Sequence, residues 1–234
     1  MSVTMVKALL AKTSLFRGAT RAQLAEISAQ CSVREAARGE LVAVRNERLP
    51  GIFAVAQGML KLYLHHGPDD ERVLRLVEAG QTFGEASALL ARPLRFDVRA
   101  MTPAKLIVIP AAAVHRLIEQ DPAAARRTVH ELAERVQMLL AELEASTLTG
   151  SQRLAAYLDS LARPAAGNGG WSARLPATKT VIASLLDMKK ETLSRLLRAL
   201  ADQGVIAVAQ RDISILDRSR LTALAESEAV APRP

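Results

Sequence analysis

The chain has 234 residues, enough for one or two domains, and half of them are hydrophobic, which allows a sizeable core and excludes global disorder. Aromatics make up only 3%, so that core is built from Leu, Val, Ile and Ala, while a formal charge of +7 suits a polyanionic partner. Cys31 is the only cysteine, which excludes an internal disulfide, a Cys-rich zinc site and a four-Cys iron–sulfur cluster.

Residues 1–30 are expected to be helical: Leu9, Leu10 and Leu15-Phe16 are followed by Thr20 as an N-cap and by Leu24 and Ile27 on one face. Met1–Leu10 lacks the long apolar core of a signal peptide, and no run of about 18 apolar residues occurs, so the expected location is the cytoplasm with no membrane partner. From Cys31 to Pro110 the pattern changes to short β-like runs: Glu40–Val44, Ile52–Val55, Met59–His65, Arg72–Val77, Val98–Met101 and Lys105–Ile109. Glycines punctuate them, and the Gly67-Pro-Asp-Asp70 turn joins Met59–His65 to Arg72–Val77 as a hairpin. Many short strands at this spacing predict an antiparallel barrel or jelly roll.

Pro110 opens a helix that ends near Asp121-Pro122, and a long helix follows to about Thr149. Within it Val129, Leu132, Val136, Leu139 and Leu143 alternate in steps of three and four, the seam of two supercoiled helices. That stripe could instead pack on the chain's own β domain. Ala133, Leu140 and Ala141 offer a second apolar flank for that purpose, which leaves the seam for a second copy, and a homodimer is expected.

Another helix, Arg153–Ala162, precedes a flexible loop from Pro164 to Gly170. Thr178–Leu200 then reads as two short helices around a tight turn. In the second helix Leu193, Leu196, Leu197 and Leu200 must pack inward, so Glu191, Ser194, Arg195 and Arg198 point to the far side. Such a side could be an ordinary solvated face. It also suits a DNA major groove, where Arg bonds both acceptors of a guanine, Glu accepts from a cytosine amine and Ser meets a base edge. Charge is dense here, with five Lys and Arg against two Asp and Glu in residues 178–200. Val205–Ala209 and Ile213–Leu216, joined around Gln210-Arg211-Asp212, form a small hairpin that completes a winged helix.

On these residues the chain resembles the Crp/Fnr superfamily of bacterial transcription regulators over nearly its whole length. The segments that carry the resemblance are Gly80-Gln-Thr-Phe-Gly84-Glu85, Glu191-Thr-Leu-Ser194-Arg195 and Asp212-Ile-Ser-Ile-Leu-Asp-Arg218. Glu-x-x-Ser-Arg matches the recognition motif of the Fnr-like branch, which reads TTGAT half-sites in an inverted repeat. The wing segment and the overall spacing are most similar to the Dnr-type regulators that respond to nitric oxide. The resemblance implies base contacts from Lys190, Glu191, Ser194 and Arg195, and phosphate contacts from Thr178, Lys179 and Arg198. It further implies a homodimer on double-stranded DNA, with RNA polymerase as another partner. Asp187 stands where the family usually has Gly in the turn, and Lys189 where an N-cap Ser or Thr is expected.

The resemblance also implies an effector pocket in the roll, with Glu85, Arg95, Met138 and Leu139 as its candidate residues. Glu85 matches the glutamate that holds the ribose hydroxyl in cyclic-nucleotide-binding members. The rest of that site does not match: Leu94 stands at the phosphate-binding Arg position, Arg95 at the Ser position, and Met138-Leu139 replaces a Thr-Ser pair. A phosphodiester in a barrel needs a fixed guanidinium, so cyclic AMP is disfavoured, although a register shift of Arg95 keeps it open. The loss of polar contacts points to an apolar cavity, which suits haem and a diatomic gas as the Dnr-like resemblance implies. The cofactor stays unassigned, because His65, His66, His115, His130, Cys31 and the six Met include no evident axial ligand. A constitutive regulator with a ligand-free roll is the third reading. The N-terminal cysteines that hold the cluster of oxygen-sensing Fnr proteins are missing, so an iron–sulfur mechanism is excluded.

No metal site and no catalytic residue are expected. His65-His66 near Asp69 and Asp70 reads as a solvated turn, and no nucleophile motif accompanies it, so the chain is not expected to be an enzyme. The expected fold class is α+β: a β-roll sensor domain with flanking helices over 1–121, a dimerisation helix over 122–149, a winged helix-turn-helix over 150–225 and a disordered tail over 226–234.

Overall fold

Short polar residues start the first helices. Ser2 accepts from the Met5 N–H at 3.3 Å to open α1 (Val3–Leu10), and Thr20 and Gln23 satisfy each other's N–H groups in a capping box at α2 (Arg21–Gln30). The structure, a computed structural model, describes residues 2–67, 70–165 and 170–226, and the chain divides into two compact units, Met1–Gln137 and Met138–Pro234.

The strands of the first unit are β1 (Ser32–Ala36), β2 (Leu41–Ala43), β3 (Gly51–Gln57), β4 (Met59–Gly67), β5 (Asp70–Glu78), β6 (Thr82–Phe83), β7 (Asp97–Ala100) and β8 (Ala104–Pro110), with a short helix α3 (Glu85–Leu89) after β6. They form two antiparallel sheets, ordered β1-β8-β3-β6 and β2-β7-β4-β5, and this is the roll. Each strand expected from the sequence is present. β1 and β6 were not expected, because β1 is largely exposed without apolar alternation and β6 has only two residues.

Alternation places adjacent residues of β3 and β8 in different cores. Phe53, Val55 and Leu106 face the interior of the roll with Phe83, Leu60 and Leu94, and the Phe53 and Phe83 rings stack at 4.9 Å. Ile52, Ala54, Ile107 and Ile109 face the other way, onto α1, α2 and α4 (Ala111–Gln120) through Val6, Leu10, Leu24, Ile27 and Val114. Each fully buried Leu, Ile or Phe contributes about 1.5–3 kcal/mol.

Asp121 and Pro122 begin α5 (Pro122–Ala145), with Pro at the first helical position, where no N–H is needed. Asp121 Oδ2 accepts from Gln23 Nε2 of α2 at 2.8 Å, and Oδ1 accepts from the Ala123 N–H at 2.8 Å. These bonds, the Gln23 one foremost, hold its carboxyl below the usual range. Two expectations about this helix need correction. It ends at Ala145 rather than Thr149, because the Ser146 and Thr147 hydroxyls bond back to Leu143 and Glu144 carbonyls and a Thr149–Gln152 capping box starts α6 (Gly150–Leu161). Ala133, Leu140 and Ala141, expected as a buried apolar flank, are exposed; the buried side of α5 is Ala124 and Thr128, whose small side chains permit close approach.

The second unit continues with β9 (Arg163–Pro164), β10 (Trp171–Arg174), α7 (Lys179–Leu185), α8 (Lys190–Asp202), β11 (Ile206–Ala209), β12 (Asp212–Ile215) and α9 (Arg218–Glu226). Its sheet is ordered β11-β12-β10-β9, so the expected hairpin gains two further strands. The Arg218 guanidinium lies 3.5 Å over the Trp171 ring and bonds Asp159 Oδ1 at 3.0 Å, tying α9 to β10 and α6. Glu226 therefore ends a helix rather than beginning a disordered tail. Residues 227–234 lie outside the described residues, as do 68–69, 166–169 and the side chain of His66. Among the described residues no helix is long and apolar enough to cross a membrane.

Gly51 pairs with Pro110 so closely that a Cβ there would run into the Ile109 carbonyl. Both strands are held from two cores, so Gly51→Ala should lower stability by about 1–3 kcal/mol or more, read as a fall in the urea midpoint.

Candidate nucleic-acid interface

The two faces of α8 separate as the leucine spacing requires. Leu193, Leu197 and Leu200 are buried, with Leu193 fully so and Leu196 half-buried. Lys190, Glu191, Arg195 and Arg198 are exposed on the opposite side, and Ser194 is half-exposed among them. Glu191 stands in the first turn, where a carboxylate complements the helix dipole. Thr178 is the N-cap residue of α7, exposed and without a capping bond from its side chain, and Lys179 follows as the first helical residue, half-exposed. The positions expected to meet bases thus share one exposed helix face, and those expected to meet phosphate lie at the start of α7 and further along α8.

Leu186–Lys189 link the two helices. Met188 N–H bonds to Ala183 O at 3.0 Å and Asp187 N–H to Ser184 O at 3.1 Å, a Schellman closure with Asp187 left-handed at φ 52°. Aspartate tolerates that conformation better than most residues, as expected for this position. Lys189 is the N-cap residue of α8 and makes no side-chain capping bond, also as expected.

Two features escaped the sequence reading. Arg153 of α6 reaches the turn, donating to the carbonyls of Leu186, Asp187 and Leu148. The wing is stitched to the segment before α7: Leu175 N–H bonds to Arg211 O at 2.8 Å, Arg211 donates to Pro176 O at 3.4 Å, and Arg174 pairs with Asp212 at 3.5 Å.

In the roll, Gly80 N–H bonds to Val55 O at 2.8 Å and Val55 N–H to Gln81 O at 2.9 Å, which holds the Gly80–Glu85 strap against β3. Gly84 is left-handed at φ 86° and hands the chain into α3, placing Glu85 at the helix start. Burial pushes the Glu85 carboxyl above its usual range, against the hydrogen bond from Thr82. Leu94 is fully buried in the roll core, and its peptide is pinned on both sides: Asn46 N–H bonds to Leu94 O, and Leu94 N–H to Glu47 O, each at 2.8 Å. Arg95 is exposed. Met138 and Leu139 belong to the second unit and are both more than half exposed.

None of the described His and Cys side chains belongs to the cluster that fills the roll. His65 lies edge-on to Tyr63 and 3.9 Å from Asp97, His130 pairs with Glu134 in solvent, and His115 is exposed. Cys31 donates to Ile27 O, and burial pushes its thiol up to about 11. Among the described residues no group of three or more His, Cys, Asp or Glu could hold a metal ion.

Two substitutions test these local arguments. Lys189→Ser supplies the missing cap and should raise the urea-unfolding free energy by about 1 kcal/mol. Glu85 carries a raised pKa in the folded state, so its ionised form lowers stability as pH rises through that value, and the effect vanishes below the ordinary 4.5. Glu85→Gln should therefore raise the thermal midpoint at neutral pH and leave it unchanged near pH 4.

Comparison with known proteins accords with this geometry. Residues 33–121 match the family model of the cyclic nucleotide-binding domain, and residues 152–224 match that of the Crp-like helix-turn-helix domain. The HTH-type transcriptional regulator Cmr of Mycobacterium tuberculosis is 25% identical over 88% of this chain and 81% of its own length. A crystal structure described as a cyclic nucleotide binding protein, from Ruegeria pomeroyi, is 29% identical with a TM-score of 0.62, covering 97% of this chain and 100% of that one. The crystal structure of DNR from Pseudomonas aeruginosa is 27% identical with a TM-score of 0.50, covering 93% and 96%. With a roll of the cyclic-nucleotide-binding type, a long helix and a Crp-like helix-turn-helix in that order, the chain belongs to the Crp/Fnr family of DNA-binding transcription regulators.

Proposed function

We propose that the protein acts as a homodimer whose paired α8 helices read an inverted repeat of TTGAT-like half-sites, under the control of an effector held in the roll. The observation that carries the DNA reading is the sorting of α8, with its leucines buried and Lys190, Glu191, Arg195 and Arg198 exposed. The Glu191-to-Arg195 motif and the likeness to DNR support the Fnr-type half-site. The homodimer is supported by the α5 seam: Val129 and Leu143 are each 67% exposed, and Val136 and Leu139 more than half exposed. A long apolar row in water belongs against another apolar surface, and a second copy brings an identical one.

For the effector, the burial and pinning of Leu94 weigh against a cyclic nucleotide, because they oppose the register shift that would bring Arg95 to the phosphate. An apolar effector is the reading we favour, with haem and a gas as the example the Dnr-like resemblance supplies; no ligation is assigned. The retained Glu85 at the start of α3 favours cyclic nucleotide control as the second reading.

Selection of bound sequences from random duplexes, with haem, cyclic AMP, cyclic GMP or no addition, tests the proposal on the full-length protein. A palindromic preference that sharpens with one addition is the expected outcome; equal selection in all four arms would favour a constitutive regulator. Arg195→Ala should cost about 1–3 kcal/mol on the selected site and relax one base position, whereas Lys179→Ala should weaken all sequences alike. Equal losses on specific and random DNA for Arg195→Ala, or a monomer in sedimentation, would refute the corresponding assignment.

A further inference from the structure

Arg153 lies in the first turn of α6, outside the two helices of the helix-turn-helix. Its guanidinium donates to three main-chain carbonyls: Nε to Leu186 at 2.9 Å, Nη2 to Asp187 at 3.4 Å and Nη1 to Leu148 at 2.6 Å. Leu186 and Asp187 belong to the turn that aims α8. Leu148 belongs to the short segment that leaves α5. A guanidinium is a rigid planar fork with permanent charge, so bonds along its edges fix both segments relative to one plane. An ammonium is a point charge on a flexible stem and cannot reproduce that geometry.

The turn has reason to need such a clamp. Asp187 holds a left-handed conformation that strains an L-residue and would not strain glycine. The Schellman bonds engage the N–H groups of Asp187 and Met188, and the carbonyls of Leu186 and Asp187 point away from that pattern, toward Arg153. The start of α6 also lies directly against the recognition helix: a Cβ added at Gly150 would be 3.4 Å from Leu196 Cδ1 and 3.7 Å from Met188 Cε.

We infer that Arg153 is a positioning residue for DNA specificity, which joins the end of the α5–α6 link to the left-handed turn so that a change in direction of the link carries α8 with it. This rests on the reading of α8 as the base-reading helix. Arg153 touches no base, so its loss leaves the phosphate-binding charge in place and blurs the angle at which Glu191, Ser194 and Arg195 are presented. Discrimination between sequences falls, while general affinity for DNA persists.

The test uses the full-length protein and measures affinity for the selected palindrome and for random duplex, with thermal unfolding, in native, Arg153→Gln, Arg153→Lys, Asp187→Gly and Arg153→Gln/Asp187→Gly forms. Arg153→Gln should reduce the specific-to-random ratio by about tenfold or more while random-duplex affinity stays within about twofold, and Arg153→Lys should fall between. The reduction should be smaller in the Asp187→Gly background, where glycine keeps the turn without help. An unchanged ratio in Arg153→Gln, or equal reductions in the two backgrounds, would overturn the inference. Should Arg153→Gln fail to fold, Arg153→Lys carries the test: a lower ratio at a near-native melting midpoint supports the inference, and an unchanged ratio overturns it. Lack of any palindromic preference in the native protein would overturn the DNA reading as well, whereas native discrimination retained in Arg153→Gln would overturn the role of Arg153 alone.

Discussion

Burial of Leu193, Leu197 and Leu200 determines what the second unit can present to its surroundings. A helix turns about 100° per residue, so the position of three leucines sets the position of every other side chain on α8. With those leucines inside, Glu191 and Arg195 can only be outside. Rotating the helix by one residue would desolvate a guanidinium and expose apolar surface together, and both changes oppose it. The other elements serve that placement: α6 and α7 pack with α8, and the wing continues the same small core through Ile206, Ile213 and Ile215.

The roll obeys a different constraint. Its interior is filled by aliphatic and Phe side chains, and Leu94 takes part in that filling. The peptide of Leu94 is held by the 46–47 segment, so the side chain is committed inward. Arg95, one residue later, must then face out. Glu85 remains at the head of α3 in a setting that disfavours its charge.

Elements with strong periodicity were legible in the sequence: the strands β3, β4 and β8, the long helix α5, and both faces of α8. The left-handed turn at Asp187 and the uncapped start at Lys189 followed from the resemblance, which puts Asp187 at a turn position that is usually Gly and Lys189 at one that is usually a capping Ser or Thr. The strands β1 and β10 were not, since their residues are partly exposed and gain their place only from a neighbouring strand. α5 ends before the expected Thr149 because the Thr149–Gln152 box makes Gly150 the start of the next helix. Arg153 was invisible for another reason. Its partners are main-chain carbonyls, one five residues earlier and two more than thirty later, and no pattern of residue types announces a bond to a peptide oxygen.

The alternation in β3 and β8 couples the two cores of the first unit. Ile52 and Phe53 are neighbours in the chain, yet one is embedded among the helices and the other among the side chains that fill the roll. The central sheet is thus a shared wall, one peptide thick, between two close-packed compartments. Close-packed interiors transmit displacement rather than absorb it. Any displacement of Phe53 would therefore press on α1, α2 and α4 through the same strand, so the helices on one side of that wall would feel a change on the other.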